Sequence, residues 1–254
     1  MRIVRYRHGQ DVGFGVLEDA TVAEINPHPF GPFRYTGTRL PLEEVRLLAP
    51  VLPTKVVAVG RNYAEHAREM GGEVAAEPVI FLKPSTAVIG PNDPIVYPTG
   101  IDQVDYEGEL AVIIGKLTRR VDKANAMQAV LGFTCANDVT ARKLQKIDGQ
   151  WARAKGFDTF CPLGPWIETD LDSSNLALRT LVDGQARQSS RTSMLDHGVA
   201  SLIAFVSSVM TLLPGDVLLT GTPAGVGPLE VGNRVEVEVE GIGILANPVV
   251  AEPV

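Results

Sequence analysis

The sequence comprises 254 residues, of which 45% are hydrophobic and 21% charged, so it can bury a core and is not a disordered chain. Asp and Glu outnumber Lys and Arg, 30 to 23, which argues against nucleic acid as a partner. No run approaches about 18 apolar residues and no signal-peptide pattern opens the chain, so we expect a cytoplasmic protein outside the membrane. Cys135 and Cys161 are expected to be buried reduced thiols.

The first part of the chain is predicted to form a small β segment over residues 1–50, followed by a main domain over residues 51–254. The segment contains three short strands, IVRY, GFGVLE and TVAEI. A loop rich in Pro and Gly follows them, NPHPFGPFRYTGTRLP.

The main domain is predicted to be an α+β fold in which strands predominate, because helices and strands do not alternate as a doubly wound sheet requires. The predicted strands are KVVAVG, VIFLKP, VDYEGELAVIIGK, FTCAND, DVLLTG, NRVEVEVEG and GILANPVV. Helices are predicted over NYAEHAREM, over DKANAMQAVLG and from Ser193 to Leu212, with Ser193 and Asp196 as candidate capping residues.

Two glutamates, Glu107 and Glu109, stand two residues apart in the predicted strand VDYEGELAVIIGK and should share one face of it. Beyond Glu109 the strand is apolar on both faces, which places the pair at the edge of a buried region. By contrast, Glu236 occurs in an alternating strand of ordinary amphipathic type, RVEVEVEG. The buried pair is compatible with a divalent cation site or with a salt-bridged structural pair.

A third acid, Asp138, ends the apolar run LGFTCAN. It could cap a helix beginning in VTARKLQ, or it could join Glu107 and Glu109 as an oxygen ligand. Three carboxylates without nearby cysteine or histidine favour Mg²⁺ or Mn²⁺ over Zn²⁺.

The candidate general base is His66, because Glu69 lies three residues further along the same predicted helix and could orient the imidazole. An incidental pair on an exposed helix is the alternative. The three other histidines, His8, His28 and His197, are predicted to be surface or loop residues.

Six motifs, in this order, resemble the fumarylacetoacetate hydrolase family over about residues 48–250, with closest similarity to its smaller members. They are GRNYAEHAREM, FLKPSTAVIGP, VDYEGELAVIIGK, NDVTAR, QWARAKGFDTFCPLGPW and PGDVLLTGTPAGVG. The resemblance implies a mixed β-roll catalytic domain, a homodimer, and Mg²⁺ or Mn²⁺ as cofactor. It also implies a 2-keto acid as the small-molecule substrate.

The resemblance assigns roles to individual residues. It implies that the metal ligands are Glu107, Glu109 and Asp138, and that the catalytic residues are His66, Glu69 and Lys155. It further implies that the substrate is bound by Arg142, Gln145, Thr222 and Lys83. For Lys83 a surface charge is the preferred interpretation. Lys143 departs from relatives that carry an acid at this position, which puts the rim of the pocket in doubt.

These residues would support hydrolysis of a C–C bond in an acylpyruvate-type acid such as fumarylpyruvate or acetylpyruvate, through a metal-stabilised enolate. Isomerisation of 2-hydroxyhepta-2,4-diene-1,7-dioate or decarboxylation of oxaloacetate could use the same site. The presence of both His66 and Glu69 favours hydrolysis, because the two residues together could activate water.

Three other classes of protein were weighed against this prediction. A nucleotide-binding protein lacks its glycine pattern, G-x-G-x-x-G, and a serine hydrolase lacks G-x-S-x-G. A metal-stabilised binding protein without activity is disfavoured by the His66 and Glu69 pair. Residues 70–78 could form a lid or a surface loop, and a distal carboxylate of the substrate could meet Arg61, Arg68 or Arg153.

Overall fold

The computed structural model describes residues 1–253, so the last residue of the predicted main domain lies outside the described part. The strands in chain order are β1 Arg2–His8, β2 Asp11–Glu18, β3 Thr21–Asn26, β4 Arg34–Pro41, β5 Arg46–Leu47, β6 Val56–Gly60, β7 Val79–Lys83, β8 Val88–Ile89, β9 Ile95–Tyr97, β10 Val104–Tyr106, β11 Gly108–Ile114, β12 Val130–Asn137, β13 Thr140–Ala141, β14 Cys161–Glu168, β15 Ala177–Val182, β16 Gln185–Arg191, β17 Val217–Leu219, β18 Gly227–Pro228, β19 Arg234–Val239 and β20 Gly243–Ala251. The helices are α1 Ala64–Glu69, α2 Arg142–Asp148, α3 Ala152–Lys155 and α4 Val199–Val209. The predicted β-rich α+β class is confirmed.

Within residues 1–253 the strands form three sheets. The largest has 12 strands and runs in the order β4-β3-β2-β1-β14-β12-β11-β17-β6-β7, with β5 paired to β1 and β8 paired to β14. A five-stranded sheet has the order β16-β15-β19-β20-β9, and a three-stranded sheet has the order β13-β10-β18. The N-terminal strands therefore continue the large sheet, because β1 pairs directly with β14.

The core lies on both faces of the large sheet, and β11 runs through its middle with every residue buried. Leu110 and Val112 pack on the face that meets α4 and the five-stranded sheet. Ala111 and Ile113 pack on the opposite face, against residues of β6, β14 and β17. The prediction that this strand is apolar on both faces beyond Glu109 is confirmed.

The predicted long strand VDYEGELAVIIGK is wrong as a single element. It is divided into β10 and β11, which belong to different sheets, and Glu107 occupies the break between them. The cause is long-range pairing, because β10 pairs with β13 and β18 whereas β11 pairs with β12 and β17. No local pattern in the sequence reports that change of partners.

Two predictions between the strands need correction. The predicted loop that ends at Pro41 contains β4, an exposed edge strand that is held by pairing with β3 and so lacks apolar alternation. The predicted helix in DKANAMQAVLG is only a 3-10 turn over Ala126–Ala129. Strand β12 begins directly after it, because Val130 pairs with Ile114.

The helix predicted from Ser193 to Leu212 is shorter, and its capping residues differ. It begins after Gly198, and no side chain caps it. Ser193 instead donates to the side chain of Asn175 over 2.9 Å, which keeps that residue in the preceding 3-10 turn. At the other end, Leu212 pairs with Thr118 and the chain leaves the helix.

The described residues contain no helix that is both long enough and apolar enough to cross a membrane. Both cysteines are free and buried, as predicted. Burial raises the pKa of both thiols to about 12, which keeps them protonated at neutral pH.

Candidate active site

A cleft of about 220 Å³ opens where the large sheet meets the three-stranded sheet and helices α1, α2 and α3. Its volume lies below the roughly 300–1,000 Å³ of pockets for drug-sized ligands, so it suits a small metabolite. It is lined by Val59, Gly60, Arg61, His66, Met70, Phe81, Glu107, Glu109, Asp138, Arg142, Gln145, Lys146, Trp151, Lys155 and Thr222. All predicted site residues except Glu69 and Lys83 are among them.

The structure brings the three predicted carboxylates together at the floor of the cleft. One carboxylate oxygen from each of Glu107, Glu109 and Asp138 lies within 4.8 Å of the other two, and all three residues are buried. Glu107 stands between β10 and β11, and Asp138 stands between β12 and β13. The backbone amide of Asp138 donates to the carbonyl of Glu107 over 2.8 Å, which holds the two chain breaks side by side. The helix-cap interpretation of Asp138 is wrong, because α2 begins at Arg142.

Three buried cations surround these carboxylates. Lys155 donates from Nζ to Glu107 over 2.7 Å and to Asp138 over 2.6 Å. Lys83 is fully buried and donates to the other oxygen of Asp138 over 2.5 Å. The surface interpretation of Lys83 is therefore wrong, because its strand places it on the inner side of the sheet, facing Asp138.

The third cation, Arg142, links the cluster to a further acid that sequence reasoning missed. Its guanidinium donates to Asp105 over 2.7 Å and to Glu107 over 2.5 Å, and a third donor reaches Gln145 over 2.6 Å. Burial alone would lower the pKa of Arg142, but the charges of Glu107 and Asp105 outweigh it and raise the pKa. Asp105 thus fixes the guanidinium that faces the cleft.

Glu107 and Glu109 differ in their electrostatic surroundings. Burial disfavours the charged form of Glu107, but Lys155 and Arg142 outweigh that effect and hold its pKa well below the ordinary range. For Glu109, burial and the charges of Asp138 and Glu107 raise the pKa well above the ordinary value. Among residues 1–253 no lysine or arginine pairs with Glu109, and its hydrogen-bond donor is the backbone amide of Gly221, at 2.6 Å.

Gly221 can make this contact only as a glycine. Its φ is +100°, and a Cβ there would lie 2.8 Å from Cβ of Asn62. The amide of this turn is therefore held against the carboxylate of Glu109.

The donor set fits a divalent cation. Four buried carboxylates, those of Asp105, Glu107, Glu109 and Asp138, face three buried cations, Lys83, Arg142 and Lys155. An excess of buried negative charge is costly unless it is neutralised. Oxygen donors alone are the ligands of hard cations such as Mg²⁺ and Mn²⁺. Glu107, Glu109 and Asp138 could hold such an ion.

His66 and Glu69 form the predicted pair on α1. His66 is buried, and its Nδ1 lies 3.0 Å from Glu69 Oε2. The other oxygen of Glu69 accepts from the backbone amide of Gly225 over 3.0 Å. The carboxylate is thereby anchored at both oxygens, and Nε2 of His66 remains available on the cleft side. The alternative of an incidental pair on an exposed helix does not describe this buried histidine.

Thr222 and Gln145 both line the cleft. The hydroxyl of Thr222 donates to the carbonyl of Gly108 over 2.9 Å and accepts from Nε2 of Gln188 over 2.8 Å. Gln188 also accepts from the amide of Gly108 over 2.9 Å. Gln188 lies on β16, far from every motif, and no signal in the sequence points to it.

Sequence reasoning also missed the outer wall of the cleft, which contains Phe81, Lys146 and Trp151. Of the three arginines predicted as candidates for a distal carboxylate, only Arg61 lines the cleft. Arg68 is exposed and outside it, and Arg153 pairs with Asp148 on the surface. Lys143 pairs with Asp102 on the surface and does not line the cleft.

Comparison with known proteins shows two family matches in the chain. Residues 55–250 match the family described as Fumarylacetoacetate (FAA) hydrolase C-terminal. Residues 1–50 match the family described as Rv2993c-like, N-terminal.

Three similar proteins carry functional names. The structure of 2-hydroxyhepta-2,4-diene-1,7-dioate isomerase from Mycobacterium marinum is 50% identical, with 100% of each chain covered and a TM-score of 0.94. Oxaloacetate tautomerase FAHD2A of Bos taurus is 46% identical over 83% of this chain and 71% of its own length. The structure of maleylpyruvate hydrolase from Sphingobium sp. SYK-6, in complex with manganese(II) and pyruvate, is 31% identical, with 100% of each chain covered and a TM-score of 0.84.

Proposed function

The chain belongs to the fumarylacetoacetate hydrolase family of enzymes, and we propose that it cleaves a C–C bond in an acylpyruvate-type 2,4-diketo acid by metal-dependent hydrolysis. The observation that carries this proposal is the anchored His66–Glu69 pair in the same cleft as the three carboxylates. A base beside a cation site is the arrangement that hydrolysis of an activated carbonyl requires. Fumarylpyruvate and acetylpyruvate are representative substrates.

The metal ligands in this proposal are Glu107, Glu109 and Asp138. When bound there, Mg²⁺ or Mn²⁺ would act as a Lewis acid toward the oxygens of a 2-oxo acid and favour its enolate. A maleylpyruvate hydrolase of the same fold that holds manganese(II) and pyruvate supports this choice of metal and ligand.

The remaining residues bind substrate or move protons. Arg142, Gln145 and Thr222 present hydrogen-bonding groups to the carboxylate end of the substrate, and Lys155 lies beside the reacting oxygens. Lys83 supports them from behind through its ion pair with Asp138, rather than from the cleft wall.

The pair on α1 would act as the general base. Glu69 holds Nδ1 of His66, so that Nε2 accepts a proton from the water that attacks the C4 carbonyl. Collapse then breaks the C3–C4 bond, the acyl half leaves as a carboxylic acid, and the pyruvate half takes up a proton at C3. Water adds across the bond, so the two products account for all atoms.

A second candidate is proton transfer without C–C cleavage. An isomerase structure at 50% identity and a tautomerase at 46% favour it, because both names describe movement of protons along a 2-oxo acid. His66 could carry such a proton as well. Decarboxylation of oxaloacetate is a third use of the same cluster, and it needs no water.

The distinguishing experiment compares reactions in His66→Ala. Because only hydrolysis requires an activated water, we expect its rate to fall by about 10²- to 10⁴-fold while decarboxylation of oxaloacetate falls much less. His8→Ala, at an exposed histidine of β1, is the matched control and should leave both rates unchanged. Equal losses for both reactions in His66→Ala would contradict this division of roles.

We also propose that residues 1–50 form a small N-terminal β segment, that residues 51–254 form the catalytic domain, and that the enzyme is a homodimer. The free edge of the large sheet supports the dimer, since β7 exposes Val79 and Leu82 there. Sedimentation equilibrium tests it, and a monomer at micromolar concentration would contradict it.

A further inference from the structure

Two positive side chains at the mouth of the cleft are not used by the reaction proposed above. Arg61 follows β6 and is half-buried, and Lys146 lies on α2 and is exposed, whereas the carboxylate cluster on the floor is buried. The cleft therefore has an anionic floor and a cationic mouth.

Neither side chain is neutralised by the protein. Arg142 pairs with Asp105 and Glu107, and Arg153 pairs with Asp148, but within residues 1–253 neither Arg61 nor Lys146 forms an ion pair. The guanidinium of Arg61 also lies against the chain after α1. A Cβ at Gly72 would fall 2.5 Å from Nη1 of Arg61. That close approach restricts the guanidinium, so part of the entropy cost of binding an anion is already met.

An aromatic wall separates the mouth from the floor. Phe81 and Trp151 meet edge to face with ring centroids 5.1 Å apart. Trp151 sits directly over Gly60, where a Cβ would be 2.4 Å from the Trp151 ring. These rings offer apolar surface to the middle of a ligand and leave its two ends to polar groups.

We infer that Arg61, assisted by Lys146, selects substrates that carry a second carboxylate at the end distant from the 2-oxo acid group. This inference rests on the proposed function, which places the 2-oxo acid end at the carboxylate cluster. The ligand class is a 2-oxo dicarboxylate with an apolar carbon chain between its charged ends. Arginine suits the distal carboxylate, because its guanidinium can bind both oxygens.

The test measures binding rather than turnover, with a matched pair of probes. 2-Oxoadipate and 2-oxohexanoate both have six carbons and differ in ending with a carboxylate or a methyl group. In the presence of Mg²⁺, we expect calorimetry to show roughly 10- to 100-fold tighter binding of 2-oxoadipate. Arg61→Met should remove most of that difference, and Lys146→Met should remove a smaller part. Oxalate reports on the floor alone and should bind both variants as it binds the wild type.

The controls are Arg68→Met and Lys143→Met, which remove exposed positive charges outside the cleft on the same two helices as the first helical turn beyond Arg61 and as Lys146. Both should retain the preference for 2-oxoadipate. Equal affinity of the two probes for the wild type, or an undiminished preference in Arg61→Met, would overturn the inference. Failure of oxalate and of both probes to bind the Mg²⁺-loaded wild type would instead overturn the proposed function.

Discussion

At the scale of single residues, the neighbours of the three clustered carboxylates give them different tasks. Glu107 and Asp138 are each held by buried cations, whereas Glu109 has only a backbone amide as its donor among the described residues. Removing a charge from Glu109 therefore leaves the surrounding ion pairs in place.

We expect Glu109→Gln to fold normally but to lose its affinity for Mg²⁺ and Mn²⁺. Loss of a direct ligand should exceed the roughly 10–100-fold effect of losing a residue that only supports a ligand. Isothermal titration calorimetry with each metal measures it. The matched control is Glu236→Gln, in a strand with the same spacing of acids but with its side chain paired to Arg234 near the surface. Unchanged metal affinity in Glu109→Gln would remove this residue from the site.

The residue types of the site could be predicted from the sequence, but their mutual contacts could not. The motifs that resemble the family name Glu107, Glu109, Asp138 and Lys155, and the structure brings all four together. The burial of Lys83 is different, because it depends on a partner 55 residues away. Long-range ion pairs of this kind leave no local trace.

At the scale of elements, the site depends on where strands change sheets. The chain leaves the large sheet at two points, between β10 and β11 and between β12 and β13, and each break carries a carboxylate. The strands themselves could be predicted from their apolar runs. The breaks could not, since each is set by pairing with strands far away in the sequence.

One buried acid joins two elements that flank the site. Asp216, at the start of β17, accepts from Thr54 over 2.5 Å and from the backbone amide of Leu213 over 2.8 Å, and it pairs with Lys55. These contacts anchor the parallel pair of β17 with β6, the strand that leads to α1.

We expect Asp216→Ala to lower the free energy of unfolding by about 2–3 kcal/mol, because it leaves several buried donors without an acceptor. Urea denaturation measures the change. Asp183→Ala is not an equivalent loss, because Asp183 bonds Asn233 and Arg234 at an exposed turn, and it should cost less. A smaller effect in Asp216→Ala than in Asp183→Ala would show that this buried anchor is unimportant.

At the scale of the whole molecule, the β-rich class and the family resemblance could be predicted, whereas the number of sheets and their partners could not. The N-terminal strands illustrate the limit. Their alternating patterns predict strands, but nothing in them reports that β1 pairs with β14 and so joins the large sheet.

The bound metal should stabilise the whole fold. Its ligands come from β11 and from two chain breaks that join different sheets, so the ion binds only the assembled structure. At a metal concentration of 100 times Kd, mass action adds roughly 2.7 kcal/mol. For a chain of this size we expect Tm to rise by roughly 5–10 °C on adding Mg²⁺ or Mn²⁺. Scanning calorimetry measures the shift, and a similar shift in Glu109→Gln would contradict binding at this cluster.

The most direct test of the proposed reaction is product identification by NMR after the purified protein is incubated with fumarylpyruvate, with Mg²⁺ and then with excess EDTA. We expect pyruvate and fumarate to form in equal amounts with Mg²⁺, and the reaction to stop with EDTA. Intact fumarylpyruvate in the presence of Mg²⁺, together with metal-dependent conversion of oxaloacetate or of 2-hydroxyhepta-2,4-diene-1,7-dioate, would contradict hydrolysis and assign the site to proton transfer or decarboxylation.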